Sequence, residues 1–76
     1  MPKAFVMVDA HFGREKEVLE TLKKINGIKT DPVDGTCDFF VEVNTESMDK
    51  LKEIIVWQIR LIRAIRSTIT LIVVEN

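Results

Sequence analysis

Hydrophobic and polar residues alternate along the chain with two periods, which predict strands and helices in turn. Residues 3–9 are apolar on both faces of an extended chain, as is typical of a central strand covered on both sides. Residues 14–25 carry apolar positions at helical spacing and are followed by Asn26-Gly27, so they predict an amphipathic helix. Residues 28–33 predict a second strand, and Pro32 confines it to a sheet edge because proline donates no ladder hydrogen bond.

Residues 34–43 predict a hairpin turn that leads into a central strand. Asp34-Gly35 tolerates positive φ and favours a tight reversal, and the residues from Cys37 onward favour a strand. Because side chains alternate along a strand, Phe39 faces one side of the sheet and Asp38 faces the other. At the start of a strand the Asp38 carboxylate can face a neighbouring residue or a ligand, so it is the first candidate for function.

The pattern predicts a second helix that ends at about Ile62, with Asn44 or Thr45 as its cap, and then a final strand over residues 65–75. The core stripe predicted for this helix is Met48, Leu51, Ile55, Ile59 and Ile62. A second apolar stripe on the neighbouring face consists of Ile54, Trp57 and Leu61. A monomer of this size does not need the second stripe for its core, so we expect an oligomer interface there.

The predicted order is β-α-β-β-α-β, the split βαβ arrangement of α+β ferredoxin-like folds, with a four-stranded antiparallel sheet and both helices on one face. Right-handed crossovers place the first and third strands in the centre and the second and fourth at the edges. The first, third and fourth strands are apolar on both faces, which leaves an exposed patch of roughly several hundred Å² on the helix-free face. We therefore expect a dimeric α+β barrel in which two sheets pair; a solvated face is the alternative.

Length and composition narrow the function classes. We expect one domain over residues 1–76, whose small core favours self-association. Lysine and arginine total 11 against 12 acidic residues, a formal net charge of −1, so direct nucleic-acid binding is disfavoured. A single cysteine excludes an internal disulfide framework. Arginines interrupt the longest apolar stretches, so we predict no signal peptide, no membrane span and a cytoplasmic location.

The predicted topology brings the end of the first strand and the starts of the third and fourth strands to one rim of the sheet. Asp9, His11 and Phe12 therefore approach residues 35–38 and 67–68. The N-terminus of the first helix lies at the same rim, and its unpaired N–H groups suit a carboxylate. Carboxylates, hydroxyls and backbone donors around one cleft match the charged groups of a zwitterionic amino acid.

Simpler interpretations of these residues stay open. Gly35 can mark only a turn, and Ser67 and Thr68 can be ordinary strand-edge residues. Asp38 can serve only to hold the hairpin through a bond between its side chain and the backbone.

A different function class is a small cofactor-independent enzyme on a dimeric α+β barrel, with His11 and Cys37 near a pocket that contains Trp57. A cysteine and a histidine can act as nucleophile and base, but no third group that would orient them is evident. One histidine and one cysteine also do not supply a metal site. We therefore expect no catalysis, no metal and no cofactor, and a purely structural assembly partner is a third alternative.

Several segments together resemble the C-terminal effector-binding (RAM) domain of the Lrp/AsnC (feast/famine) transcription regulators. They are residues 4–8, the Asn26-Gly27-Ile28 turn, residues 34–43 and residues 65–73. The most specific pieces are a Gly-x-x-Asp turn and a Ser-Thr pair at the start of the last strand. Two departures are Cys37, where the family commonly has an aromatic residue, and Arg63-Ala64, which replaces an expected Pro-Gly turn.

The resemblance implies dimers joined through their sheets, larger rings of dimers that are often octamers, and small effectors, typically amino acids, bound between dimers. The motif residues carried over as effector contacts are Gly35, Asp38, Ser67 and Thr68, and the neighbouring Thr36 and Cys37 complete the predicted site. Family regulators contact DNA through a helix-turn-helix, and none precedes the first strand here. We therefore expect a module that senses a metabolite without reading bases, through its own assembly or through mixed oligomers with full-length regulators.

Overall fold

A computed structural model describes residues 1–74 and contains one sheet with two helical segments. The elements are β1 (Lys3–Ala10), α1 (Glu15–Lys23), β2 (Ile28–Pro32), β3 (Phe39–Asn44), α2 (Met48–Lys52), a π-helical segment (Glu53–Ile59) that continues α2, and β4 (Ile65–Ile72). The strands lie in the order β2-β3-β1-β4, and every pairing is antiparallel. The predicted ferredoxin-like fold, the central β1 and β3 and the edge position of Pro32 are confirmed.

The hydrophobic core lies between the helices and one face of the sheet. Alternate residues of the central strands are buried on this face, as the two-residue period of a strand requires. On the helical side, Val18 and Leu22 of α1 and Leu51 of α2 are fully buried. The sheet residues that meet them are Ala4, Val6, Val8, Phe39, Val41 and Val43. The central strands β1 and β3 are thus covered on this face within the protomer.

The second helix begins at a different residue from the one predicted, and it ends at Ile59, earlier than the predicted end at about Ile62. Ser47 caps α2, since its Oγ accepts a hydrogen bond from the Lys50 N–H at 3.1 Å. Thr45 is instead buried, and its hydroxyl donates to the Ser47 carbonyl oxygen at 2.8 Å. The prediction of a cap at Asn44 or Thr45 is therefore wrong by two to three residues. The last strand, β4, ends at Ile72, whereas the prediction extended it to Glu75, which lies outside the described residues.

The π-helical segment changes which residues of the second helix face the core. Its hydrogen bonds span five residues, as in the bond from the Arg60 N–H to the Ile55 carbonyl oxygen at 3.0 Å. The wider turn allows both Ile54 and Ile55 to be buried, at 2% and 5% exposure. Trp57 and Leu61 are 69% and 62% exposed. The prediction of an exposed stripe is therefore wrong for Ile54, which belongs to the core of the protomer.

The face of the sheet opposite the helices is apolar over the middle of β1 and β4 and at Phe40 of β3, and this part is largely open to solvent in the protomer. Strand register places Phe5 opposite Leu71 and Met7 opposite Ile69. The rings of Phe5 and Phe40 stack with centroids 5.3 Å apart, while Ile69 and Leu71 are 58% and 52% exposed. We call this set the open sheet face: Phe5, Met7, Phe40, Ile69 and Leu71.

Thr30 in β2 has a buried hydroxyl that lacks a hydrogen-bond partner within the part of the chain that the structure describes. Its register partner Val41 is fully buried, so the Thr30 side chain faces the helices. Replacing such a hydroxyl by a methyl group of the same shape removes a desolvation cost, so Thr30→Val should raise the free energy of unfolding by about 1 kcal/mol. Urea unfolding at fixed protein concentration measures the change.

Thr70→Val is the matched control, because Thr70 is also a half-buried, helix-facing threonine of an edge strand. An equal gain in both variants would attribute the effect to the β propensity of valine and would contradict the assignment of a cost to the Thr30 hydroxyl.

Candidate functional site

The end of β1 and the starts of β3 and β4 meet at one rim of the sheet, as the sequence predicts. On one side, the Asp38 N–H donates to the Val8 carbonyl oxygen at 3.0 Å, and Asp38 Oδ2 accepts from the Ala10 N–H at 2.9 Å. On the other side, Asp9 lies opposite Ser67, whose hydroxyl donates to Asp9 Oδ2 at 3.4 Å. The rim therefore brings together Asp9, Asp38 and Ser67, which come from different parts of the chain.

The turn between β2 and β3 fixes the backbone of Asp38. Gly35 adopts φ of 140°, a conformation that side-chain-bearing residues rarely adopt, which explains a glycine at this position. The Val33 N–H donates to the Asp38 carbonyl oxygen at 2.9 Å and so extends the β2–β3 pairing by one step. Gly35 and Thr36 are exposed at the tip of the turn, and Cys37 is partly buried. Asp38 is thus held firmly, whereas the tip presents itself to solvent.

The Asp38 side chain ties β3 to β1. The simpler interpretation, a bond between the side chain and the backbone, applies here, but the donor is the Ala10 N–H at the end of β1 and not a residue of the hairpin. This bond engages Oδ2, and a carboxylate accepts hydrogen bonds through both of its oxygens. Asp38 can therefore hold the strands together and still offer an acceptor to a ligand.

A β-bulge in β4 brings Arg66 and Ser67 to the same carboxylate. The pairing passes from Asp9 opposite Ser67 to Ala10 opposite Ile65, so Arg66 is the extra residue of β4. Arg66 Nη2 lies 3.5 Å from Asp9 Oδ2, the oxygen that also accepts from Ser67. Sequence reasoning missed this arrangement, because nothing in the residue types around Arg66 signals a bulge.

Other residues considered at the sequence level are not joined into a site. Thr68 is partly buried, opposite Val8. His11 and Phe12 are exposed. The groove beside Trp57 is lined by residues from Ser47 to Trp57 and includes neither His11 nor Cys37. The groove beside Trp57 therefore does not bring together the residues that the enzyme hypothesis requires.

The described residues show no group of three His, Cys, Asp or Glu side chains placed to hold a metal ion. No helix within residues 1–74 combines the length and the apolar character needed to cross a membrane.

Three surface grooves lie away from the rim. The groove beside Trp57 has a volume of about 540 Å³. Another, of about 530 Å³, lies between the start of β1 and Met48, and a third, of about 360 Å³, lies beside Asn26 and Ile54. None of them is lined by the predicted effector residues at 35–38 and 67–68. Gly35, Thr36 and Ser67 are exposed in one protomer, so a second surface would be needed to enclose a ligand at the rim.

No protein-family model and no curated protein matches the chain. Solved structures match it over nearly its whole length. The protein PHS023 from Pyrococcus horikoshii is 31% identical, with a TM-score of 0.88, over 100% of this chain and 93% of that one. FFRP-DM1 is also 31% identical, with a TM-score of 0.89, over 97% of this chain and 100% of that one.

A longer structure shows where this fold occurs in a regulator. AsnC from Escherichia coli is 25% identical, with a TM-score of 0.86, over 99% of this chain. The chain spans about half of AsnC, 52% of its length. The agreement in fold with AsnC, together with identities of 31% to two proteins over nearly complete chains, establishes the relationship. The chain belongs to the Lrp/AsnC (feast/famine) regulator family and has the fold of that family's effector-binding RAM domain.

Proposed function

We propose that this chain is a small-molecule-binding and oligomerisation module, and that it binds an amino acid at the rim formed by β1, β3 and β4. The observation that carries the proposal is the convergence of Asp38 and Ser67 on the two sides of the Asp9–Ala10 corner. The Asp38 carboxylate and the Ser67 oxygen, whose own proton is donated to Asp9, can accept from an ammonium group. The exposed hydroxyl of Thr36 can donate to a carboxylate. The rim thus offers both kinds of partner that an amino acid requires.

The ligand class is also supported by a related fold. The transcriptional regulator NMB0573 from Neisseria meningitidis was solved as a complex with L-methionine. It is 12% identical, with a TM-score of 0.81, over 99% of this chain and 51% of that one, so the likeness concerns the fold alone. We transfer only the class of ligand, because Cys37 and the Arg63-Ala64 turn depart from the motifs of the family.

Dimerisation follows from the open sheet face. Burial of apolar surface is worth about 25 cal/mol per Å², so the exposed parts of Ile69 and Leu71 favour a contact that removes them from water. A second copy offers the same flat apolar face. The flanking pair Lys3 and Glu42, 3.8 Å apart, gives each copy both charge signs at the border of the face. We propose that two sheets pack together with the helices outside.

Larger assemblies are proposed to form through the helical patch, which we define as Trp57 and Leu61. Both side chains are mostly exposed on the helical side of the protomer, far from the sheet contact. An octamer is the arrangement we favour, with the rim enclosed at the junction between dimers. A ligand at that junction shifts assembly only as far as its affinities for the assembled and separated states differ.

We further propose that the module is a cytoplasmic protein and that residues 1–76 form one domain. Its output would then be a change in its own assembly state or in mixed oligomers with full-length regulators of the same family.

Asp38→Asn tests the binding proposal. Asparagine keeps an oxygen for the Ala10 N–H but loses the charge that attracts an ammonium group, so the affinity should fall about tenfold or more while the melting temperature barely changes. Calorimetry with each of the twenty amino acids, followed by native mass spectrometry with the best binder, measures affinity and assembly together.

Glu20→Gln is the control, because it removes one carboxylate charge at an exposed position in the second half of α1, on the helical side of the sheet. It should bind like the wild type. A wild-type protein that binds none of the twenty, or an Asp38→Asn variant with unchanged affinity, would refute the ligand or its location respectively.

A further inference from the structure

The Asp9–Ala10 corner at the end of β1 contacts both halves of the proposed site. Asp38 reaches the Ala10 N–H at 2.9 Å, and the Ser67 hydroxyl reaches Asp9 Oδ2 at 3.4 Å. The strands that carry these two halves, β3 and β4, do not pair with each other, because β1 lies between them. The distance between the halves is therefore set by how each is held to β1.

The two halves are held differently. Asp38 is fixed by backbone bonds on both sides, to Val8 and to Val33, in addition to its side-chain bond. Ser67 instead lies next to the bulge at Arg66, where the β1–β4 register shifts. A bulge interrupts the regular backbone hydrogen bonds and changes the direction of the side chains beside it. The position of Ser67 therefore depends more on side-chain contacts than the position of Asp38 does.

The charges at the Asp9–Ala10 corner also indicate different roles for Asp9 and Asp38. The Asp9 side chain is only 23% exposed, and its Oδ2 faces both the Ser67 hydroxyl and the Arg66 guanidinium. Arg66 offsets the charge of Asp9, whereas Asp38 has no ion-pair partner within residues 1–74. Asp9 is thus placed to hold β4 through its acceptor oxygen, while Asp38 is placed to attract the ligand.

We propose that Asp9 is a positioning residue of the effector site: its carboxylate holds the Ser67 hydroxyl and the adjoining bulge so that Ser67 and Thr68 keep a fixed position relative to Asp38. The inference rests on the proposed function, because a ligand must contact both halves for this distance to matter. Asp9 itself need not touch the ligand.

Two double variants with equal charge test this role. Asp9→Asn/Arg66→Gln and Asp9→Ala/Arg66→Gln remove the same charges from the rim, but only asparagine retains an oxygen that can accept from Ser67. We expect the asparagine variant to bind the amino acid within about threefold of the wild type, and the alanine variant to lose about tenfold, the size of one hydrogen bond. Titration calorimetry below the melting transition of each variant measures the affinities.

A ligand-free measurement separates this inference from the proposed function. In NMR relaxation of the free protein, the order parameters of Ser67 and Thr68 should fall from about 0.85, typical of rigid backbone, toward about 0.6 in the alanine variant and stay high in the asparagine variant. Equal order parameters in the two variants, or equal affinities, would overturn the positioning role. If the order parameters differ as expected but the wild type binds no amino acid, the proposed function fails while the positioning of Ser67 by Asp9 stands.

Discussion

Leu71→Lys is expected to convert the protein from dimers and larger assemblies into folded monomers. Leu71 lies on the open sheet face opposite Phe5 and is 52% exposed in the protomer, so a lysine there remains in water when the chain is alone. In a face-to-face dimer, two symmetry-related lysines would be buried between sheets. Burying an unpaired charge costs several kcal/mol, so the dissociation constant of the dimer should rise by about a thousandfold or more. Sedimentation equilibrium gives the molecular mass, and circular dichroism reports the fold.

Leu61→Lys is the matched control, since it introduces the same residue in place of the same residue at a site that is 62% exposed on the helical side. It should weaken the larger assembly and leave the dimer intact. A Leu71→Lys protein that stays dimeric, or a wild-type protein that is a stable monomer at high concentration, would remove the sheet pairing. The proposed junction between dimers and the sensing role would be lost with it.

Much of the fold is predictable from sequence because the residues of several strands restrict where each strand can lie in the sheet. Residues of β1 are apolar on both faces, as is typical of a central strand, and β1 lies between β3 and β4. Pro32 has the opposite signature, since it cannot donate to a ladder, and it lies at the sheet edge. Right-handed connections then determine the strand order.

The details that sequence could not supply are those in which the backbone departs from its regular period. Helical spacing of 3.6 residues places Ile54 on one stripe with Trp57, but the π-helical segment turns Ile54 into the core. The bulge at Arg66 similarly shifts register within β4. Both depend on tertiary packing, which the residue types alone do not encode.

The candidate site is also predictable from the sequence only in part. The topology predicts that Asp9, Asp38 and Ser67 share a rim, and the structure places them there. It does not predict which groups the carboxylates contact, because an aspartate in a turn can bond to many backbone donors. The contacts of Asp38 with Ala10 and of Asp9 with Ser67 emerge only from the three-dimensional register.

Ile54→Ala and Trp57→Ala, three residues apart on the π-helical segment, are expected to affect different properties: the first the stability of the protomer, the second its assembly. Ile54 is 2% exposed, and its side chain packs beside Gly27: a Cβ added to that glycine would lie 3.5 Å from the Ile54 Cδ1. Truncating such a core isoleucine costs about 2–5 kcal/mol. That is a large share of the roughly 5–15 kcal/mol that stabilises a small domain. Trp57 is 69% exposed, so its truncation should change the free energy of unfolding by only about 0.5 kcal/mol.

The effect of Trp57→Ala should appear in assembly instead. A buried aromatic anchor of an interface contributes about 2 kcal/mol or more, which corresponds to at least a thirtyfold weaker contact between dimers. Urea unfolding is best compared in the Leu71→Lys background, where assembly does not contribute to stability, and native mass spectrometry in the wild-type background reports the oligomer. If Trp57→Ala unfolds the monomer, Trp57 belongs to the core. If the larger assembly survives the substitution, the helical patch is not the surface that joins dimers, and the rim cannot be enclosed in the way proposed.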